Sequence, residues 1–169
     1  MSKLAKGTLT RNPKPNSTVG LSMRKRTSIL IVDDDIGMTE TLSDILEDSG
    51  YDVEVAYDGF EAIERVQARA FDVILMDIKM PGINGVKTYK KIKSIRPEVA
   101  VMMMTAHYPV EDLVTEALKE GAYGIIYKPI ELEKVAEFVE HVEKSDLALI
   151  FTRIRAIEGI LAGKSKTGV

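Results

Sequence analysis

Ile29-Leu30-Ile31-Val32 is an unbroken aliphatic run that stops at three consecutive aspartates, Asp33, Asp34 and Asp35. A strand that is apolar on both faces must be covered on both faces, which is the position of an inner strand of a parallel sheet. The pattern recurs along the chain. Asp72-Val73-Ile74-Leu75-Met76 ends at Asp77, Ala100–Met104 leads to Thr105, and Gly124–Tyr127 leads to Lys128-Pro129. Asp52–Ala56 alternates instead, as a half-covered strand does. Between these runs the apolar period changes to that of helices. Met38, Leu42, Ile45 and Leu46 run up to Gly50; Ala62, Ile63 and Val66 lie within 59–69; Val86, Tyr89, Ile92 and Ile95 stop before Pro97. A fourth helix is expected over about 110–119, and a fifth begins near Ile130. Five strands alternating with five helices predict an α/β fold, an open, doubly wound parallel sheet with helices on both faces.

In such a sheet ligands bind at the carboxyl ends of the strands, all on one edge. That edge would gather Asp33, Asp34, Asp77, Thr105 and Lys128. Clustered carboxylates repel one another unless a cation sits between them. An all-oxygen acidic set suits Mg²⁺, which takes one or two carboxylates and keeps waters for a phosphate. A lysine ammonium and a threonine hydroxyl suit phosphoryl oxygens. Taken singly, each aspartate reads as a helix cap, and Lys128 and Thr105 read as ordinary surface residues. Together, a metal, an ammonium and a hydroxyl around a carboxylate make a phosphoryl-transfer site with the carboxylate as nucleophile.

ILIVDDD, VILMDIKMPGINGV, MMMTAH and YGIIYKPI, in this order and spacing, resemble the receiver domain of two-component response regulators over about residues 27–145. The resemblance implies a flavodoxin-like fold with five strands in the order 2-1-3-4-5. It implies that Asp77 accepts a phosphoryl group. It further implies that Asp33, Asp34, Asp77 and the main-chain carbonyl of Lys79 hold Mg²⁺, and that Thr105 and Lys128 contact the phosphoryl oxygens. The implied donor is a phosphohistidine on a histidine kinase or phosphotransfer protein. The expected role is a cytoplasmic phosphoacceptor switch rather than an enzyme, passing its state to a downstream protein target. Lys79, Ala106 and His107 would form the rim through which an attacking water enters. Thr105 and Ile125 would form the switch pair, but the family commonly has Tyr or Phe at the latter position and Ile125 has no ring to rotate. Strand alternation puts Tyr123 and Tyr127 on the face of Ile125. Asp35 reads as the cap of the first helix.

The 169 residues include no cysteine, which excludes disulfides, thiolate metal sites and thiol nucleophiles. No run approaches the roughly 20 apolar residues of a membrane span, and no apolar stretch of a signal peptide opens the chain. Charge divides unevenly. Residues 1–27 hold seven basic residues and no acid, leaving 16 basic against 26 acidic in the rest. Rich in Pro, Asn, Ser and Thr, this leader cannot build a core and reads as disordered. The receiver would occupy 28–145, followed over 146–169 by an amphipathic helical extension and short tail. Leu147, Ile150, Phe151, Ile154, Ile157 and Leu161 form one helical stripe there, with a net charge of +2 over the segment. Such a stripe needs covering, by its own receiver, by a second copy in a homodimer through the C-terminal helix, or by a partner. The roughly two dozen residues after 145 are too few for a DNA-binding output domain, so the sequence reads as a stand-alone receiver.

Two other readings stand beside it. A haloacid-dehalogenase-type phosphatase also places Asp-x-Asp after its first strand, as Asp33 and Asp35 would, but Gly37 and the Asp77 turn do not fit it. A degenerate receiver serving as a scaffold would retain the fold without the chemistry.

Overall fold

The computed structural model describes residues 26–106 and 111–145. The basic leader through residue 25, His107 and the 146–169 extension lie outside the described residues. Strands and helices alternate as β1 (Ser28–Val32), α1 (Ile36–Asp48), β2 (Asp52–Ala56), α2 (Gly59–Ala68), β3 (Val73–Asp77), α3 (Gly85–Ile95), β4 (Ala100–Thr105), α4 (Glu111–Lys119) and β5 (Gly124–Tyr127). A fifth helix, α5, occupies 132–145. All strand pairs are parallel, in the order β2-β1-β3-β4-β5.

Alternation within the strands builds two cores. Leu30, Val32, Ile74, Met76, Val101 and Met103 point toward α2, α3 and α4, where Val66, Tyr89 and Ile92 meet them. Ile29, Ile31, Val73, Leu75, Met102 and Met104 point the other way, toward Leu42 and Leu46 of α1 and Val135, Phe138 and Val139 of α5. β1 and β3 are buried along their whole length, as their unbroken apolar runs require, whereas the edge strand β2 is exposed at its start.

Several boundaries differ from expectation by one or two residues. β3 begins at Val73, because Asp72 is drawn off to cap the base of β1: its Oδ2 accepts from the Ser28 amide (2.8 Å) and hydroxyl (2.7 Å). β3 also takes in Asp77 itself. α5 begins at residue 132 rather than near Ile130, which packs against the α1–α5 core.

Candidate phosphoryl-acceptor site

β1 and β3 are neighbours in the sheet, so their aspartates emerge side by side. Asp77 is 4% exposed and Asp33 is fully buried, while Asp34 faces solvent. One carboxylate oxygen from each of Asp33, Asp34 and Asp77 lies within 4.8 Å of the others. Lys128 leaves the end of β5 and closes the group, its Nζ 2.5 Å from Asp33 Oδ2 and 2.8 Å from Asp77 Oδ1. Its own amide donates to the Thr105 carbonyl at 2.8 Å, tying the β5 end to the β4 end. The Lys128–Pro129 bond is cis.

Asp33 Oδ1 accepts from the Asp35 amide at 3.0 Å. Oδ2 is buried and touches the Lys128 ammonium without meeting the angular demands of a hydrogen bond. A buried carboxylate oxygen left in that state is suited to a cation. Burial pushes the Asp77 carboxyl above the usual range, the Asp33 charge adds to this, and Lys128 with the Lys79 amide offset part of it. Lys128 is the converse. Burial works against its charge, but its close contacts with the Asp33 and Asp77 carboxylates together outweigh that and hold its pKa above the ordinary lysine value. Two buried acids sharing one ammonium leave an excess of negative charge, and the residues present fit Mg²⁺ in donor type and separation.

Backbone packing fixes the nucleophile. The turn after β3 closes with the Gly85 amide donating to the Ile78 carbonyl at 2.9 Å, and Asn84 caps α3 by accepting from the Lys87 amide. A methyl group at Gly85 would stand 2.0 Å from the Asp77 carbonyl oxygen, so only glycine lets α3 approach this closely. Gly82, at φ +77, makes the Met-Pro-Gly turn. Sequence reading missed the role of Gly85, whose only signal was its place at the end of that turn.

Thr105 ends β4, is 2% exposed and donates through Oγ1 to the Ala106 carbonyl at 3.1 Å. Ala106 and Lys79 are exposed. Ile125 is half-buried against the α2–α3–α4 core. Tyr123 corrects an expectation. It precedes β5 and turns to the other side, its ring 4.5 Å from that of Phe138 on α5, so alternation within the strand does not govern it. Tyr127 is half-exposed at the strand end. Asp35 is the α1 cap, its side chain accepting from the Met38 amide at 3.0 Å. Its carboxylate is not one of the three that gather within 4.8 Å, whereas the phosphatase reading needs Asp35 paired with Asp33.

The family model described as response regulator receiver domain matches residues 29–140. The chain belongs to the response regulator receiver family. This receiver is 37% identical to the chemotaxis protein CheY of Thermotoga maritima over 117 residues, 69% of this chain and 97% of that one. It is also 37% identical to the transcriptional regulatory protein ZraR of Salmonella typhimurium over 118 residues, 70% of this chain but 26% of that protein. The receiver thus spans about a quarter of the length of the ZraR proteins that it matches. Among solved structures, a CheY-like receiver from Methanospirillum hungatei superposes with a TM-score of 0.67 at 32% identity, covering 72% of this chain and 99% of that one. NtrX of Brucella abortus matches with a TM-score of 0.67 at 28% identity over 75% of this chain and 29% of its own. The fold is therefore flavodoxin-like, as the CheY-type strand order requires. Receivers are phosphoacceptor switches of two-component systems that bind Mg²⁺ and interact with histidine kinases or phosphotransfer proteins. No helix among the described residues is long and apolar enough to cross a membrane.

Proposed function

We propose that this receiver takes a phosphoryl group from a phosphohistidine onto Asp77, with Mg²⁺, and that the modification changes its affinity for a protein target or for a second copy of itself. The observation that carries this reading is the buried Asp77 carboxylate, held at a strand end between an acidic pair and the Lys128 ammonium. An Asp77 oxygen attacks phosphorus in line. The phosphorus–nitrogen bond breaks as the phosphorus–oxygen bond forms, and the departing imidazole keeps the electron pair. Asp33, Asp34, Asp77 and the Lys79 carbonyl would hold Mg²⁺, which supplies positive charge opposite the phosphoryl oxygens. Lys128 gives an ammonium to one of those oxygens, and the Thr105 hydroxyl leaves the Ala106 carbonyl to donate to another. Movement of Thr105 frees space beside it, which Ile125 fills by repacking as an aliphatic side chain rather than by rotating a ring. The signal then passes to a protein target.

Beryllofluoride, a stable stand-in for the phosphoryl group, tests the site without a cognate donor. The expected result is saturable binding that needs Mg²⁺, shifts the Thr105 and Lys128 resonances and vanishes in Asp77→Asn. Binding that survives Asp77→Asn would move the acceptor elsewhere. A complete failure to bind would leave a scaffold.

A further inference from the structure

α2 is pinned at its start. Asp58 caps it, its side chain accepting from the Phe60 and Glu61 amides at 2.8 Å each, and Glu61 reaches back to accept from the Tyr57 amide at 2.8 Å. Arg65 then ties the helix to β2, bridging Glu61 (2.7 Å) and Glu54 (2.9 Å). The first residue of this fixed helix is Gly59, which is buried. A methyl group there would stand 2.1 Å from Thr88 Oγ1, 2.6 Å from Ile83 Cγ2 and 3.2 Å from the Ile83 carbonyl oxygen.

All three of those atoms belong to one stretch, the closing half of the turn that joins β3 to α3 and the first turn of that helix. Ile83 is half-buried, and the Thr88 hydroxyl donates to the Asn84 carbonyl at 3.0 Å, so Thr88 is fastened to the residue that caps α3. The β3–α3 turn is also held at its two ends. The Ile78 amide donates to the Met104 carbonyl and the Gly85 amide to the Ile78 carbonyl, both at 2.9 Å. Between these ends lie Lys79, whose amide acts on the Asp77 carboxylate, and Met80, whose side chain is buried in the α2–α3–α4 core. A second contact from α2 falls on the same turn. A methyl group at Gly82 would lie 3.6 Å from Phe60 Cε2, so that ring rests against the turn although it is 61% exposed. With both ends tied and α2 fixed, a displacement of Ile83 is taken up between the ties, at residues 79–82.

We infer that Gly59 is a positioning residue for the cation site: its missing side chain lets the β3–α3 turn close against α2 and so sets the peptide of Lys79 beside Asp77. Its effect passes through Ile83 and Thr88, since none of the three nearest atoms belongs to a residue of the site. In this it differs from Gly85, whose close contact is with the Asp77 carbonyl itself. The inference rests on the placement of Mg²⁺ at Asp33, Asp34, Asp77 and the Lys79 carbonyl proposed above.

Calorimetric titration of Mg²⁺ into the full chain tests this. Gly59→Ala is compared with wild type, and the same change is made in an Ile83→Ala/Thr88→Ala background that leaves room for the methyl group. Circular dichroism confirms that each variant is folded. Gly59→Ala should weaken Mg²⁺ binding about tenfold in the wild-type background, the usual scale for a residue that orients a metal ligand. In the relieved background it should weaken binding by less than about twofold. In metal-free protein the Lys79 amide resonance should shift with Gly59→Ala, and far less in the relieved background. If Gly59→Ala does not fold, Ile83→Ala alone decides: it frees the turn from α2 and should weaken binding several-fold. Unchanged affinity in the folded variant, whatever its stability, would show packing alone and overturn the inference. An equal loss in both backgrounds would overturn it too. A wild type that binds no Mg²⁺ would overturn the placement of the cation and this role with it; the Lys79 shift, read without metal, tells the two failures apart.

Discussion

Burial works against the charge of Asp77, and this has a measurable consequence. Its folded pKa lies above the unfolded value near 3.8, chiefly because of burial, so the native state binds that proton more tightly than the unfolded chain does. Ionised Asp77 therefore lowers stability above the raised folded pKa, and the penalty is relieved as pH falls toward 3.8. Asp77→Asn should unfold at higher urea than wild type at pH 7, and the two midpoints should converge as the pH is lowered. A gap that widens at low pH would contradict the burial argument. Lys128→Met takes the opposite course. It strips the ammonium from two buried carboxylates and should cost about 3 kcal/mol in chelator. Mg²⁺ should restore part of that loss, measured by urea unfolding with and without the ion; a loss indifferent to Mg²⁺ would separate Lys128 from the metal site. These residues were legible in the sequence because each terminates a buried run, and parallel strands bring such ends to one edge. Tyr123 was not legible, because it lies outside the strand whose alternation would have placed it.

At the scale of elements, the approach of α3 to β3 decides where the nucleophile sits. Gly85→Ala must push the first turn of α3 away from the Asp77 carbonyl. It should destabilise the fold by about 2 kcal/mol and slow phosphorylation of Asp77 several-fold in protein that remains folded, as read by small-donor labelling under native conditions. Unchanged labelling with lowered stability would show that the contact serves packing alone. The sequence displayed all five strands and all five helices, and most boundaries lie within a residue or two of their expected places. It did not display the contact of Gly85, which depends on the angle at which α3 enters. Nor did it display the ties of α3 to the end of α4, where the buried Tyr89 hydroxyl donates to the Glu120 carbonyl and Lys90 bridges Glu116 and Glu120. Tyr89 counted only as a member of an apolar stripe, since helical spacing records which face is buried and not which polar atom it reaches.

For the molecule as a whole, the two cores cover both faces of the sheet while its carboxyl edge gathers three carboxylates around one ammonium, a set suited to a cation. The groove between α1 and α5, lined by Ile45 and Leu132, shows how far pattern reading extends: it is made by two helices distant in sequence, which helical spacing alone does not bring together. The central claim is that Asp77 is the acceptor and that the acidic pair serves it through Mg²⁺. Intact-mass measurement tests it most directly, on wild type and Asp77→Asn incubated with a small phosphoryl donor, with Mg²⁺ or with chelator. The account predicts one added phosphoryl group on wild type with Mg²⁺ and none in the other three samples. A phosphoryl group on Asp77→Asn, or undiminished labelling of wild type in chelator, would contradict it.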